Sequence, residues 1–315
     1  MKYRFLGKTG LKVSVYALGT NSFGGRADKE TSIRIIHHAL DHGVNFIDTA
    51  DIYTDGQSEA IIGEALEGRR HEVVLTTKVG MRIGQGPNDE SSSRWHIFRQ
   101  VEKSLQRLKT DYIDLYQIHR FDPHTPVEET LRALEDLRRQ GKILYAGASN
   151  FAAWQLMKAL GLSERLNLIR YESIQMGYSL IDRRIEDEMV PLALEEKVGI
   201  LCYYPLGGGI LTGKYRKGEA PPPGSRAVTQ PRFAQRLTDR SLAIAEKVSE
   251  LAAQMGVTPS QLSLAWVMAK PGVTSVLVGA TRVEQQEENL KAVDLEIPEE
   301  VMDQLDRISD PHGPA

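Results

Sequence analysis

The sequence has a single cysteine, Cys202, almost no net charge and few aromatic residues. One cysteine excludes an intramolecular disulfide and a thiolate metal cluster, and it is typical of a reducing compartment. Because 39 basic side chains nearly cancel 42 acidic ones, the composition indicates neither a nucleic-acid surface nor an anionic-membrane surface. The longest uncharged run, residues 251–269, is broken by Gly256 and Pro259, and no apolar leader opens the chain. We therefore expect a cytoplasmic protein that does not enter a membrane.

A rhythm of short apolar runs and longer amphipathic stretches repeats along the whole chain. The length allows one large domain or two medium ones, but eight such units without a linker favour a closed (β/α)8 TIM barrel, an α/β fold, as a single domain over residues 1–315. The eight candidate strands are Val15–Gly19, Val44–Ile47, Val73–Thr77, Ile113–Ile118, Ile143–Ala148, Ser173–Gln175, Gly199–Tyr203 and Ser275–Val278.

Two segments lie outside this rhythm. Tyr3–Leu6 and Leu11–Val15 flank a turn-forming Gly-Lys-Thr-Gly stretch and predict an N-terminal β-hairpin that could plug one end of the barrel. After the seventh strand, residues 217–233 contain four prolines and predict a long irregular loop. Such a loop is either a lid or a mobile surface segment, and both readings stay open.

Residues that favour helix ends punctuate the amphipathic stretches. The candidate starts are Asp28 or Thr31, Thr125 and Thr258, each before a helical pattern. The candidate ends are Gly43, Gly141 and Gly199, since glycine readily adopts a left-handed backbone.

Polar side chains follow three consecutive strands of the predicted barrel. Asp48 and Tyr53 come after the second strand, Lys78 after the third, and His119 directly follows the fourth. Taken singly, each could be a turn, cap or packing residue, although lysine is seldom buried without a partner. Because the carboxyl ends of barrel strands meet at one rim, we expect the four to form one site.

The chemistry of such a set is that of an acid beside a carbonyl group. Tyrosine has a pKa near ~10, and a neighbouring ammonium group lowers it, while a carboxylate holds the lysine charged. Histidine can orient a carbonyl oxygen or pass on a proton. No side chain delivers hydride, so reduction of the carbonyl carbon requires a nicotinamide or a flavin.

The residues of this rim and of four further stretches resemble the aldo-keto reductases over nearly the whole chain. The matching stretches are Leu18–Gly25, Val44–Tyr53, Thr76–Gly80, Thr110–Arg120, Gly147–Phe151, Tyr203–Tyr215 and Val278–Leu290. The resemblance implies reduction of aldehydes or ketones to alcohols, with Tyr53 as the general acid and Lys78 lowering its pKa. It also implies that Asp48 holds Lys78 and that His119 orients the substrate carbonyl.

NADPH is the cofactor that the resemblance implies, bound at strand ends and in the loops that follow them. The implied binding residues are Thr20, Asn21, Asp48, Ser149, Asn150, Gln175, Tyr203, Pro205, Leu206, Gly207, Gly208, Gly209, Lys214, Arg226, Gly279, Thr281, Arg282, Gln285, Glu288 and Asn289. Arg282 favours NADPH over NADH, because guanidinium binds a 2′-phosphate well. Tyr204 departs from the family pattern, in which many relatives carry serine, and it is expected to alter the pocket.

Three functions other than a reductase can be compared with the sequence. A residue stretch over 208–214 resembles a phosphate-binding P-loop, but Tyr215 stands where serine or threonine must follow. A metal-dependent barrel hydrolase lacks a ligand cluster, and we expect no metal. The main alternative is an NADPH-binding sensor or regulatory subunit with little turnover, like potassium-channel β subunits, in which the histidine position is commonly replaced. The sequence indicates neither the carbonyl substrate nor the oligomeric state.

Overall fold

The computed structural model describes residues 1–312, except for the side chain of Pro231. Eight parallel strands close into a barrel in the predicted chain order, and the last strand of the barrel pairs with both the first and the seventh. The strands are β3 Tyr16–Gly19, β4 Phe46–Asp48, β5 Val74–Val79, β6 Ile113–Ile118, β7 Ile143–Ser149, β8 Tyr171–Gly177, β9 Gly199–Tyr203 and β10 Val273–Gly279. The predicted (β/α)8 barrel is confirmed. The single domain over residues 1–315 stays a prediction, and its last three residues lie outside the described part.

One strand is much longer than its apolar run indicated. The predicted run Ser173–Gln175 is only the centre of β8, which begins at Tyr171. Glu172 hid the start of the strand, because a charged residue interrupts an apolar pattern. In the fold its carboxylate pairs with Arg170 at 3.2 Å, which lets the backbone continue in the sheet.

The predicted hairpin forms from β1 Tyr3–Phe5 and β2 Lys12–Ser14, which pair antiparallel. Leu6 and Val13 are fully buried and pack inside the barrel against side chains such as Phe46 and Leu115. Gly7 in the turn has φ +56°, and a Cβ there would lie 2.3 Å from the carbonyl oxygen of Glu172. The hairpin therefore closes the N-terminal end of the barrel, and the close approach requires glycine.

Helices surround the barrel and shield its strands from water. Their bounds are α1 Lys29–Asp41, α2 Gln57–Ala65, α3 Arg94–Leu108, α4 Val127–Arg139, α5 Ala153–Leu166, α6 Met189–Glu196, α7 Arg226–Thr229, α8 Pro231–Ala234, α9 Asp239–Gln254, α10 Pro259–Ala269, α11 Val283–Leu290 and α12 Glu299–Ser309. Their apolar faces pack on the outer faces of the strands in one continuous core. Within residues 1–312, no helix is both long and apolar enough to span a bilayer.

Several predicted helix ends are confirmed. Asp28, not Thr31, caps α1 by accepting a hydrogen bond from the backbone N–H of Thr31. Thr258 caps α10 in a reciprocal pair with Gln261. Gly43 and Gly141 follow α1 and α4 with positive φ, as expected for left-handed helix ends.

Two predicted helix ends are wrong. Thr125 does not cap α4; its hydroxyl donates to Asp122 at 2.6 Å, and the helix begins two residues later, at Val127. Gly199 does not end α6 but begins β9, while Lys197 takes the left-handed conformation, with φ +53°. Backbone N–H groups at this helix end donate hydrogen bonds to the carbonyl oxygens of Ala193 and Leu194, which stabilises the left-handed conformation of the lysine.

The loop after β9, residues 217–233, is irregular only in its first half. It contains α7 and the start of α8, so the prediction of a wholly irregular segment is wrong. Ala227 and Phe233 are buried, and the Phe233 ring lies 6.2 Å from that of Tyr215. These two apolar anchors fix the second half of the segment, which we call the flap, over the barrel mouth.

Candidate active site

The four rim residues lie together at the C-terminal end of the barrel. Asp48 ends β4, Lys78 lies near the end of β5, and His119 directly follows β6. Tyr53 begins a short turn of 3₁₀ helix after β4. Parallel strands whose ends are in register bring these side chains to one point.

Lys78 is fully buried at the centre of the group. Its ammonium donates to Asp48 Oδ2 at 2.7 Å, to the carbonyl of Thr49 at 2.8 Å and to the Tyr53 hydroxyl at 3.3 Å. Three donors meet three acceptors, so the buried charge is satisfied. Burial lowers the pKa of Lys78, but the charge of Asp48 and the hydrogen bonds to Asp48 and Tyr53 outweigh that effect, so the net pKa is raised and the ammonium form is held.

Asp48 is held from a second side by amide donors. Gln175 Nε2 donates to Asp48 Oδ1 at 2.7 Å, and Gln117 Nε2 lies 3.5 Å from the same oxygen. Burial raises the pKa of Asp48, while Lys78 and the two amides act against that shift. The carboxylate cannot rotate without losing several of these partners, so it fixes the position of Lys78.

The pKa of Tyr53 is shifted upward, whereas the sequence analysis expected a downward shift. Lys78 lowers this pKa, as expected, but burial has the larger effect, and the pKa of Tyr53 is raised above its ordinary value. The hydroxyl therefore holds its proton at neutral pH. A proton donor that is neutral in the resting site and stabilised as phenolate by an adjacent ammonium suits general-acid chemistry.

His119 faces the same hydroxyl from the far side. Its ring centroid lies 6.0 Å from that of Tyr53, edge to face, and its Nδ1 is buried without a hydrogen-bond partner among the described residues. Burial, with Lys78 and Arg120 adding to it, lowers the pKa of His119 to about 3. The imidazole is therefore neutral at physiological pH.

These residues form the wall of a cavity of about 740 Å³ at the barrel mouth. Asp48, Tyr53 and His119 line it, with Lys78 behind them. The predicted cofactor residues that line the same cavity are Thr20, Asn21, Asp48, Ser149, Asn150, Gln175, Tyr203, Pro205, Leu206, Gly208, Gly209, Lys214, Arg226, Gly279, Thr281 and Gln285.

Four predicted cofactor residues lie outside the lining. Gly207 is buried in the turn after β9, where a Cβ would lie 2.3 Å from Ile181 Cδ1. Arg282 and Glu288 are exposed at α11, and Asn289 is buried beneath them. Their binding roles stay predictions.

The strand ends β7 to β9 present amide and hydroxyl groups to the cavity. Ser149 Oγ donates to the carbonyl of Gln175 at 3.0 Å, and the Tyr203 hydroxyl donates to Asn150 Oδ1 at 2.6 Å. Asn150 has φ +56°, a left-handed conformation that asparagine adopts more readily than most non-glycine residues. These groups line the cavity together with the Tyr203 ring.

A glycine-rich turn after β9 suits a phosphate group. Gly208 and Gly209 both have positive φ, and a Cβ on Gly208 would lie 2.5 Å from the Phe233 ring. A Cβ on Gly209 would lie 3.1 Å from Lys214 Nζ. Arg226 Nε is buried without a partner among the described residues. A glycine backbone without side chains, next to the cations of Lys214 and Arg226, is suited to binding a diphosphate.

A buried acidic network behind Tyr53 was not predicted. Glu59 accepts from Thr77 Oγ1 at 2.6 Å and pairs with Arg107 at 2.6 Å. Both carboxyl oxygens of Asp51 and the Tyr116 hydroxyl are buried without partners among the described residues. Burial, then the charge of Glu59, raises the pKa of Asp51 to about 8. The signal in the sequence was Glu59, an acidic residue on the otherwise apolar face of α2.

Gln117, buried beside Asp48, is a further residue that the sequence reasoning passed over. Gln117 interrupts the apolar run of β6, two residues after Leu115, which places both on the inner face. That spacing could have predicted its contact with Asp48. Arg26, in the loop between β3 and α1 that was expected to form part of the pocket wall, lines the cavity.

Metal and thiol chemistry have little support. Nowhere in residues 1–312 do three His, Cys, Asp or Glu side chains come together as metal ligands. Cys202 is fully buried in β9, and burial raises the pKa of its thiol.

Comparison with known proteins agrees with this geometry. The Aldo/keto reductase family model matches residues 16–310. An "Uncharacterized oxidoreductase YrpG" of Bacillus subtilis (strain 168) is 40% identical, covering 98% of this chain and 96% of that protein. A "Probable voltage-gated potassium channel subunit beta" of Arabidopsis thaliana is also 40% identical, covering 94% and 92%, and one of Oryza sativa subsp. japonica is 38% identical, covering 98% and 96%. The chain belongs to the aldo/keto reductase family of oxidoreductases.

Proposed function

We propose that the protein reduces aldehydes or ketones to alcohols with NADPH, and that Tyr53 donates the proton. The observation that carries the proposal is the contact of the partly buried Tyr53 hydroxyl with the buried Lys78–Asp48 pair at a cavity wall. Family membership agrees with it.

Each residue has a distinct part in the proposed reaction. The carbonyl oxygen lies between the Tyr53 hydroxyl and neutral His119, which hydrogen-bond it and set its orientation. As the carbonyl carbon is reduced, the Tyr53 proton moves to the developing alkoxide. Lys78 stabilises the phenolate that remains, and Asp48 keeps Lys78 in place. One hydride and one proton convert the carbonyl to an alcohol.

NADPH fits the residues present, and when bound it supplies the hydride. Ser149, Asn150 and Gln175 offer the polar groups that an amide needs beside the Tyr203 ring. The glycine turn with Lys214 and Arg226 offers the charge and the bare backbone that a diphosphate needs. We propose that Arg282 binds the 2′-phosphate. Replacing it by leucine should weaken NADPH binding about tenfold and leave NADH binding unchanged.

A second candidate is a regulatory subunit that binds NADPH with little turnover. Identity of 40% to a protein named as a probable potassium channel subunit favours it. His119 favours the enzyme, because a second hydrogen-bonding group for the carbonyl is of use only where turnover matters.

Single-turnover kinetics separate the two candidates. The protein is loaded with NADPH, mixed rapidly with a panel of aldehydes and ketones, and followed by nicotinamide absorbance. The proposal expects oxidation of one equivalent of NADPH within seconds for at least one carbonyl compound, followed by steady turnover. Tight NADPH binding without oxidation by any reactive aldehyde would support the regulatory candidate instead.

A further inference from the structure

Arg26 lies on the cavity wall without a part in the proposed reaction. It belongs to the loop between β3 and α1, and it shares the cavity lining with Tyr53 and His119. The cofactor residues already proposed provide the diphosphate and amide contacts without it. A cationic side chain on the wall of a reaction cavity needs another explanation.

Arg26 is one of three guanidinium groups that gather at the cavity mouth without an acid. In the part of the chain that the structure describes, no carboxylate forms an ion pair with Arg26, Arg226 or Arg236, whereas Arg216 and Lys217 nearby do pair with acids. Burial and the charge of Arg226 both lower the pKa of Arg26. The guanidinium groups therefore repel each other, and an anion between them would relieve that repulsion.

Tyr204 lies at the centre of these cations. The guanidinium carbons of Arg226 and Arg236 lie 5.9 and 5.5 Å from its ring centroid, and Tyr204 and Arg26 line the same cavity. Its ring lies 5.3 Å from that of Tyr203, and it lines the same cavity as Tyr53.

Tyr204 is held in a conformation that costs free energy. Its φ is +55°, and 39% of its surface is exposed. A large side chain in the left-handed region is strained, and such residues cluster at ligand sites. An exposed ring in strained backbone gains little from packing, so its presence points to a ligand.

We propose, resting on the reductase function above, that the substrate carries a carboxylate near its carbonyl group and that Arg26 binds it at the edge of Tyr204. The substrate class is thus the oxo acids and carboxylated aldehydes. Arg236 adds positive potential at the edge of Tyr204, and Arg226 keeps the diphosphate role proposed above. The carboxylate remains unchanged in the reaction, which reduces only the carbonyl group.

Substrates that differ only in charge test this site. We would measure kcat/KM for 3- and 4-carboxybenzaldehyde and for their methyl esters, with NADPH, at low and at high salt. The wild-type protein should prefer the carboxylate of at least one pair by about tenfold, as expected for one charge-assisted contact. High salt should reduce the preference, because the cations lie near the surface.

The Arg26→Gln variant should lose this preference through a higher KM for the carboxylate and leave the ester unchanged. Arg26→Lys, which keeps the charge but not the fork, should keep part of the preference. Arg34→Gln, on the exposed face of α1, is the matched control and should behave as wild type. NADPH affinity, measured by fluorescence, should be the same in all four proteins.

Two results would overturn the inference. One is a wild-type protein that reduces ester and carboxylate equally well. The other is an Arg26→Gln variant that binds NADPH more weakly and loses both substrates equally, which would assign Arg26 to a cofactor phosphate.

A binding measurement separates this inference from the reductase proposal. Calorimetry on the NADP⁺ complex would compare 4-carbamoylbenzoate, which cannot be reduced under these conditions, with its methyl ester. Arg26-dependent binding of the acid alone would support the site even if no aldehyde were turned over. Equal binding of acid and ester would contradict it whatever the catalytic result.

Discussion

The two ends of the barrel are built from the same strands but hold opposite kinds of side chain. At the N-terminal end the interior is apolar, with Phe46, Leu115 and Leu201 packed under the hairpin. Two residues further along the same inner faces, the side chains are Asp48, Gln117 and Tyr203. Along each of these strands, an inward-facing apolar side chain is therefore followed, two residues later, by an inward-facing polar side chain of the site.

Backbone strain follows the same division. Non-glycine residues with positive φ fall into two groups, and three of them, such as Lys197, simply end helices. The other four, Thr54, Asp55, Asn150 and Tyr204, all lie at the C-terminal mouth. The N-terminal end thus provides stability, while the other end holds conformations and buried charges that cost stability.

Tyr53→Phe is expected to have the largest effect. Loss of the proton donor should lower kcat for carbonyl reduction by about 10³-fold, within the usual range for a general acid. NADPH affinity and thermal stability should stay near wild type, since the ring is kept. Wild-type turnover in this variant, measured by nicotinamide absorbance, would contradict the proposed mechanism.

Lys78→Met tests the burial of charge at the same end. Asp48 would be left without its cation, which should cost about 4 kcal/mol in the free energy of unfolding. Urea denaturation gives this value. The Asp48→Asn/Lys78→Met double variant removes the orphaned charge and should recover part of the loss. A double variant no more stable than Lys78→Met would show that the ion pair is not what the site depends on.

Leu115→Ala tests the other end. It opens a cavity beneath the hairpin and should cost about 3 kcal/mol in the free energy of unfolding. KM and kcat of the folded protein should not change. Gln117→Leu, two residues along the same strand, is the counterpart and should lower kcat more than stability. If both variants altered kcat equally, the division between the two ends would fail.

His119 predicts a smaller, pH-dependent effect. Its pKa is lowered to about 3 in the folded chain, so only the unfolded chain takes up a proton as the pH falls through ~6.5. Stability should therefore fall with pH, and this residue should account for about 2 kcal/mol of the loss between pH 8 and pH 5. His119→Gln should remove that part of the slope in urea titrations. His71→Gln, at an exposed position, is the matched control, and an equal change in slope there would contradict the assignment.

The sequence predicted the barrel well because its strands are buried on both faces. Continuous apolar runs marked all eight strands, and turn glycines such as Gly43 marked several helix ends. Features that depend on contacts between distant residues were harder to predict from the sequence. Tyr171 belongs to β8 although Glu172 interrupts the pattern, because Arg170 neutralises that charge only in the fold. The flap helices depend on Phe233 reaching a buried site that no local pattern reveals.

The candidate site shows the same limit. Strand-end position and family resemblance together pointed to Asp48, Tyr53, Lys78 and His119, and the structure places them in contact or close together. The net pKa of Tyr53 was not predictable, because burial outweighs its ion-pair neighbour and burial is a property of the whole fold.

The buried position of Cys202 has a practical consequence. Its thiol is the only one in the chain, is fully enclosed in β9 and resists ionisation, so alkylating dyes that require a thiolate should not react with the native protein. A cysteine introduced at exposed Gln230 in the flap would then be labelled alone. A fluorophore at that point could report on flap position during substrate and cofactor binding, without first engineering the chain to remove its own cysteine.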